Sequence, residues 1–193
     1  SHFLEHMVFK GTAKYPTSKE LAEAVDAVGA EFNAFTGKEY TGYYVKSSSN
    51  HIPLALDVVS DMLLTPRLLN EDLQREKGVI IEEMNMYADT PARHIGDIFE
   101  QLMFAGSDLG RDIIGTKKTV MDLQRNDFVS YMKEWYGLGN VVLTIAGDAV
   151  ALADKNLFGH IEKAFSKTSD TSDRSNGGAR HYGKALSTGS KLH

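Results

Sequence analysis

The chain begins with the nine residues SHFLEHMVF (1–9), and this stretch decides how the rest of the sequence is interpreted. Its large apolar side chains recur at the spacing of a helix with one buried face, namely Phe3, Leu4, Met7 and Val8. The same stretch contains the pattern H-x-x-E-H, formed by His2, Glu5 and His6. The sequence therefore predicts an amphipathic helix that carries two histidines and a glutamate.

The two histidines are candidate metal ligands. Because His2 and His6 are four residues apart, they share one face of a helix and can point at the same ion. Two neutral imidazoles bind Zn²⁺ well, but a catalytic zinc usually takes three protein ligands and a water. Since the chain has no cysteine, we expect the third ligand to be a carboxylate or another histidine. The alternative is two ordinary histidines on a half-buried helix.

Composition and charge exclude several classes of protein. The 193 residues are 42% hydrophobic and 24% charged, which is typical of a globular protein. The lack of cysteine excludes a disulfide framework, an iron–sulfur site and a thiol nucleophile. A formal net charge of −5 argues against nonspecific nucleic-acid binding, which needs a basic face. No stretch reaches the roughly 18 apolar residues of a membrane span.

Hydrophobic periodicity and turn signals predict an α+β fold, with helices packed on a mostly antiparallel sheet. Further helices are predicted at 17–29, 50–64, 70–87, 91–104, 119–123, 126–135 and 151–165, a β-hairpin at 31–35 and 40–47, and a buried strand at 141–146. From residue 166 the chain becomes rich in Ser, Thr and Gly. We therefore expect one lobe at 1–165, followed by a linker or arm at 166–193.

Three stretches carry a resemblance to a known family. They are HFLEHMVFKGTAKYP (2–16), GAEFNAFTGKEYTGYY (29–44) and EKGVIIEEM (76–84), and together they resemble the pitrilysin-type (M16) zinc metallopeptidases. H-x-x-E-H is the signature of the inverzincins. Within the family, the chain looks most like the mitochondrial processing peptidase β subunits and their bacterial relatives.

The resemblance also implies the remaining site residues. In the family, 76 residues separate H-x-x-E-H from the glutamate that completes the metal site, and this spacing leads to Glu83. A second family glutamate, seven residues earlier, matches Glu76. The resemblance thus implies one zinc ion held by His2, His6 and Glu83. Glu5 would be the general base, and Glu76 would orient a ligand or the base.

The helical geometry of the residues agrees with this assignment. Glu76 and Glu83 are seven residues apart, so they lie two turns apart on one helix face. Glu82 is the competing ligand, but it points about 100° away, so only one of the two neighbours can face the metal. For Glu76, the alternative is a solvated surface charge. Gly78, inside the same helix, predicts a close approach of another helix.

The hairpin is a candidate substrate site. In the family, the strand that matches Asn33, Ala34, Phe35 and Thr36 binds the substrate backbone as an added β-strand. An exposed sheet edge offers unpaired N–H and C=O groups to an extended peptide. The alternative is that Asn33 simply ends a strand.

The function expected from the sequence is that of a zinc-dependent endopeptidase lobe that hydrolyses peptides or presequences. The resemblance implies strands before the H-x-x-E-H helix and a second, similar lobe, neither of which this sequence includes. The alternative is therefore a lobe that binds zinc and a partner lobe, or a dimer partner, but is inactive alone. The compartment stays open between the bacterial cytoplasm or periplasm and the mitochondrial matrix.

Overall fold

The structure is a computed structural model, and it describes residues 1–166 of the chain. The predicted linker at 166–193 therefore lies outside the described residues, apart from its first residue. Over residues 1–166, no helix has both the length and the apolar character needed to cross a membrane.

The observed elements confirm an α+β fold. In chain order they are α1 (His2–Val8), α2 (Ser18–Asp26), β1 (Glu31–Thr36), β2 (Thr41–Lys46), α3 (Ile52–Leu64), α4 (Asn70–Ala88), α5 (Pro91–Met103), α6 (Lys117–Asp122), α7 (Arg125–Trp135), α8 (Ala149–Leu152) and α9 (Leu157–Phe165). Short 3₁₀ turns begin at residues 49, 108 and 138. Within the described part of the chain, the sheet consists of β1 and β2 alone.

The start of α2 shows how closely local sequence determines local structure. The Thr17 side chain accepts a hydrogen bond from the Glu20 backbone N–H and donates one to the Glu20 carboxylate at 2.8 Å. This reciprocal arrangement satisfies a backbone donor that the first helical turn leaves unpaired. Gly29 then adopts φ +64°, which lets the chain reverse direction into β1.

The predicted hairpin is present. β1 and β2 pair antiparallel, from Glu31 opposite Lys46 to Thr36 opposite Thr41. The Gly37 N–H closes the connecting loop by donating to the Tyr40 carbonyl at 2.8 Å. Burial alternates along β1, so one face of the strand is turned towards the core while the other is exposed. The hairpin therefore holds Thr36 at a defined position beside α1.

The core lies behind α1 and fixes its orientation. Helix α1 contacts both α4 and β1. Its apolar side chains Leu4, Met7 and Val8 are almost fully buried, and they share a cluster with Leu73 and Ile80 of α4. Each such side chain contributes about 1.5–3 kcal/mol when it is fully buried. Since α1 is anchored by this face, the remaining sides of the helix are free to carry a site.

One predicted strand is wrong for the described residues. Residues 141–146 have no strand partner in the range 1–166, and Val142 is 91% exposed. An apolar run indicates hydrophobicity, but a strand forms only when a second strand supplies hydrogen bonds. Ile145 packs instead against a small cluster that contains Leu56 and Leu157.

Two further expectations need correction. The predicted helix at 151–165 is two helices, α8 and α9. Asp154 separates them, because its side chain accepts hydrogen bonds from both the backbone N–H and the side-chain amide of Asn156. Gly78 is exposed, and a Cβ added to it would meet nothing within 4 Å. The close helix approach expected at Gly78 is therefore wrong.

Candidate metal centre

Helices α1 and α4 bring His2, His6 and Glu83 together. The imidazole rings of His2 and His6 have centroids 4.7 Å apart on one face of α1. The Glu83 carboxylate comes from α4, and its Oε1 lies 3.6 Å from His2 Nε2. Its Oε2 lies 3.4 Å from His6 Nε2. The structure thus brings together the three residues that the sequence predicts as ligands.

The geometry and chemistry of these donors fit a zinc ion. Bonds of 2.0–2.1 Å at tetrahedral angles place neighbouring ligand atoms about 3.3 Å apart. The two nitrogen-to-carboxylate separations, which end on different oxygens of Glu83, are close to that value. One ligand atom from each of the three residues lies within 4.8 Å of the others. Among residues 1–166, no other set of His, Asp and Glu side chains converges in this way. Glu82, the competing ligand, is exposed.

Glu76 holds the His6 ring. The His6 Nδ1 lies 2.9 Å from Glu76 Oε1, and Lys10 Nζ lies 2.7 Å from Glu76 Oε2. Burial pushes the pKa of Glu76 upwards, but hydrogen bonds from His6 and Lys10 outweigh it and hold that pKa below its usual value. An ionised carboxylate only accepts, so Nδ1 carries a proton, and the neutral ring then has the tautomer whose Nε2 lone pair is available to a metal.

The burial of Glu76 excludes one alternative from the sequence. Its exposed fraction is 5%, so it is not a solvated surface charge. Within the described residues, its carboxylate pairs with His6 and Lys10. The structure therefore favours the first of the two predicted roles, which was to orient a ligand.

The surroundings of His2 favour the neutral form of its imidazole. Burial lowers the pKa of His2, and the neighbouring His6 ring lowers it further. The neutral imidazole is the form that binds a metal ion. Its Nδ1 is buried and has no hydrogen-bond partner among residues 1–166.

Glu5 lies beside the three candidate ligands and is tied to the hairpin. The Thr36 hydroxyl, at the end of β1, donates a hydrogen bond to Glu5 Oε2. Nearby, Tyr43 and Tyr136 share a hydrogen bond of 3.0 Å, and burial raises the pKa of both phenols above their usual value. These two tyrosines were not predicted as neighbours of the site. Their position follows from packing between β2 and the end of α7.

A cleft of about 510 Å³ opens in front of these side chains. One wall is formed by α1 and α4, through His2, Glu5, His6 and Glu83, and by the end of β1. The opposite side is lined by polar side chains of α5, namely Arg93, Asp97, Glu100 and Gln101.

Only half of the predicted substrate strand lines this cleft. Phe35 and Thr36 line it, whereas Asn33 and Ala34 do not. The Asn33 side chain instead accepts a hydrogen bond from the Ala34 N–H at 2.8 Å. The structure thus brings the second half of the strand into the cleft.

Tyr87 is a neighbour of the site that the sequence reasoning missed. Its hydroxyl donates a hydrogen bond to Glu83 Oε1, and the Arg93 guanidinium lies 3.6 Å from the centre of its ring. Burial and the Glu83 carboxylate raise the pKa of Tyr87, so the phenol stays protonated and can donate. The available signal was its spacing, since Tyr87 follows Glu83 by four residues and so lies on the same helix face.

Comparison with known proteins gives the class of protein that this fold and these residues define. Residues 1–117 match the family described as Insulinase (Peptidase family M16). Over 148 residues the chain is 39% identical to the zinc protease YmxG of Bacillus subtilis (strain 168), covering 77% of this chain and 36% of that protein. It is 35% identical over 172 residues to the mitochondrial-processing peptidase subunit beta of Caenorhabditis elegans, covering 87% and 37% respectively.

A solved structure shows the same fold. The protease from Helicobacter pylori matches 86% of this chain and 39% of its own, with a TM-score of 0.78 and 22% sequence identity. The chain belongs to peptidase family M16. The resemblance to bacterial and mitochondrial members is therefore confirmed. The chain spans about a third of the length of the curated relatives described above.

Proposed function

We propose that this chain is a zinc-dependent endopeptidase lobe that hydrolyses peptides or presequences. The observation that carries the proposal is the convergence of His2, His6 and Glu83 in one cleft with Glu5. Membership of family M16, whose relatives are named zinc proteases, supports the same chemistry.

In this proposal, His2 and His6 contribute their Nε2 atoms and Glu83 contributes a carboxylate oxygen to one zinc ion. When bound, zinc would polarise a peptide carbonyl and lower the pKa of a water molecule. The protein supplies the orientation of the donors, because the Glu76 hydrogen bond sets the His6 tautomer before any metal arrives. The burial of His2 likewise favours its neutral imidazole, because burial lowers the pKa of the ring.

Glu5 is proposed as the general base. Its carboxylate lines the cleft beside the candidate ligands, where it can take a proton from a water molecule and return it to the leaving amine. Thr36 occupies Oε2 of this carboxylate, so Oε1 is left to exchange the proton. The hydrogen bond also fixes the orientation of a side chain that has three rotatable bonds.

The β1 strand is proposed to bind the substrate backbone. β1 pairs with β2 on one side, and within residues 1–166 no strand pairs with its other side. An extended peptide could add there, with its scissile bond beside Glu5, since Phe35 and Thr36 line the cleft. Asn33 and Ala34 would extend the same strand away from the cleft, where a substrate carbonyl would replace the Asn33 side chain as the acceptor for the Ala34 N–H.

The test of this function compares Glu5→Gln with Glu39→Gln, an exposed glutamate of the hairpin loop. Zinc content and the cleavage of an unstructured fluorogenic peptide are measured for each variant. Glu5→Gln should keep zinc and lose activity by about 10²–10⁴-fold, which is the contribution of general acid–base catalysis. Glu39→Gln should match the wild type. An active Glu5→Gln variant would refute the role assigned to Glu5.

A second candidate function is a lobe that binds zinc and a partner lobe, or a dimer partner, but does not turn over alone. The observation in its favour is the α5 apolar face, which we define as Ile95, Phe99 and Leu102, all more than 60% exposed. A wild-type chain that binds zinc but leaves the peptide uncut would support this candidate. Cleavage that a chelator abolishes would support the first.

A further inference from the structure

Two of the candidate ligands, His6 and Glu83, each make a hydrogen bond to a neighbouring side chain. His6 is held by Glu76, which the family resemblance already implied. Glu83 is held by Tyr87, which no resemblance implied. We propose that Tyr87 is a positioning residue, whose hydroxyl fixes the Glu83 carboxylate in the orientation that a metal ion requires. This inference rests on the proposed function, because it assumes that Glu83 is a ligand.

The hydrogen bond from Tyr87 to one carboxylate oxygen of Glu83 orients both oxygens. Tyr87 donates to Glu83 Oε1, while Oε2 lies 3.4 Å from His6 Nε2 on the side of the candidate metal position. With Oε1 held, the carboxylate plane cannot rotate freely, so Oε2 stays directed towards His6 Nε2 while Oε1 keeps its 3.6 Å separation from His2 Nε2. Such partners of ligating carboxylates typically change metal affinity by about 10- to 100-fold when they are removed.

Arg93 restrains the tyrosine in turn. Its guanidinium lies 3.6 Å from the centre of the Tyr87 ring. This cation–π contact ties the ring, which belongs to α4, to the start of α5. Two consecutive contacts, Arg93 with Tyr87 and Tyr87 with Glu83, therefore restrain the Glu83 carboxylate. They join the α5 side of the cleft to the candidate metal position.

The ring and the hydroxyl of Tyr87 can be separated by experiment. The ring packs against the core from a partly buried position, and phenylalanine would keep that packing. Only the hydroxyl reaches Glu83. Tyr87→Phe therefore removes the proposed positioning contact while it leaves the helix and the core as they are.

The chain also offers a matched control. The Tyr44 hydroxyl donates to Glu31 Oε1 at 3.5 Å on the exposed hairpin, away from the cleft. Tyr44→Phe thus removes another tyrosine–glutamate contact without touching the site. Glu83→Gln serves as the reference for a lost ligand.

The experiment measures the zinc dissociation constant of the four proteins by competition with a chromophoric chelator, and their metal-free stability by urea unfolding. Tyr87→Phe should bind zinc about tenfold more weakly than the wild type, with unchanged metal-free stability, and Tyr44→Phe should bind like the wild type. If Tyr87→Phe binds zinc like the wild type while Glu83→Gln does not bind, the inference about Tyr87 is refuted and the proposed function stands. If the wild type itself does not bind zinc, the proposed function fails, and the inference fails with it.

Discussion

Helices α4 and α5 follow one another in the chain and face the same cleft, yet they are built differently. Four side chains of α4 are buried, and two of these, Glu76 and Lys77, are charged. No side chain of α5 is buried, and the α5 apolar face is exposed to solvent. The helix that carries a candidate ligand thus buries charge, while the helix across the cleft exposes apolar surface.

This difference shows which of the two helices provides a preformed polar environment for the site. A buried charge destabilises a protein unless hydrogen-bond partners compensate it. On α4 both buried charges are compensated, because Glu76 contacts His6 and Lys10, and Lys77 Nζ donates to the Met121 carbonyl at 2.7 Å. The α4 side of the cleft is therefore preformed, whereas residues 1–166 leave the α5 apolar face exposed.

The largest effect predicted from this comparison is on stability. Leu73 of α4 is fully buried in the main core, so Leu73→Ala removes buried side-chain volume and leaves a cavity. We expect the free energy of unfolding to fall by about 2–5 kcal/mol, as measured by urea denaturation followed by circular dichroism. A loss of unfolding free energy below about 1 kcal/mol would mean that α4 is not anchored in the core through Leu73.

A smaller effect is predicted for Glu76→Gln. The amide cannot accept from both His6 and Lys10 as the carboxylate does, so the His6 tautomer is no longer fixed. Zinc affinity should fall by about 10- to 100-fold in a chelator competition. Glu82→Gln, an exposed change on the same helix, is the control.

The pH dependence of the metal-free chains checks the same contact. The folded-state pKa of Glu76 lies below its usual value of 4.5, so its carboxylate stabilises the fold above that pH. As pH falls through the lowered pKa, this contribution is lost, and the stability difference between wild type and Glu76→Gln should narrow. A difference that stays constant down to low pH would contradict the charged state assigned to Glu76.

The smallest effect is predicted on α5. Leu102 is 73% exposed, so Leu102→Ala should change the free energy of unfolding by less than about 0.5 kcal/mol. The measurement is the urea denaturation used for Leu73→Ala. A loss as large as that of Leu73→Ala would show that the α5 apolar face is covered in solution.

The sequence predicted those parts of the fold that local signals control. The side-chain cap at Thr17, the hairpin at 31–47 and the helix of H-x-x-E-H all follow from neighbouring residues, and the structure has them. The predicted strand at 141–146 is absent because a strand needs a second strand to supply hydrogen bonds, and local sequence does not show whether one is there.

The candidate site shows the same division. His2 and His6 were predictable from helical spacing, and Glu83 required the family spacing as well. The contact of Tyr87 with Glu83 was within reach of the i, i+4 rule, but the stacking of Arg93 on its ring depends on the angle between α4 and α5. The roles of these residues as ligands or as base remain predictions.

The central claim is that His2, His6 and Glu83 together hold one zinc ion. The most direct measurement is the zinc content of the purified chain after dialysis, determined by elemental analysis for the wild type, Glu82→Gln and Glu83→Gln. We predict about one zinc ion per chain for the wild type and for Glu82→Gln, and almost none for Glu83→Gln. Equal zinc content in Glu83→Gln and the wild type would contradict the claim.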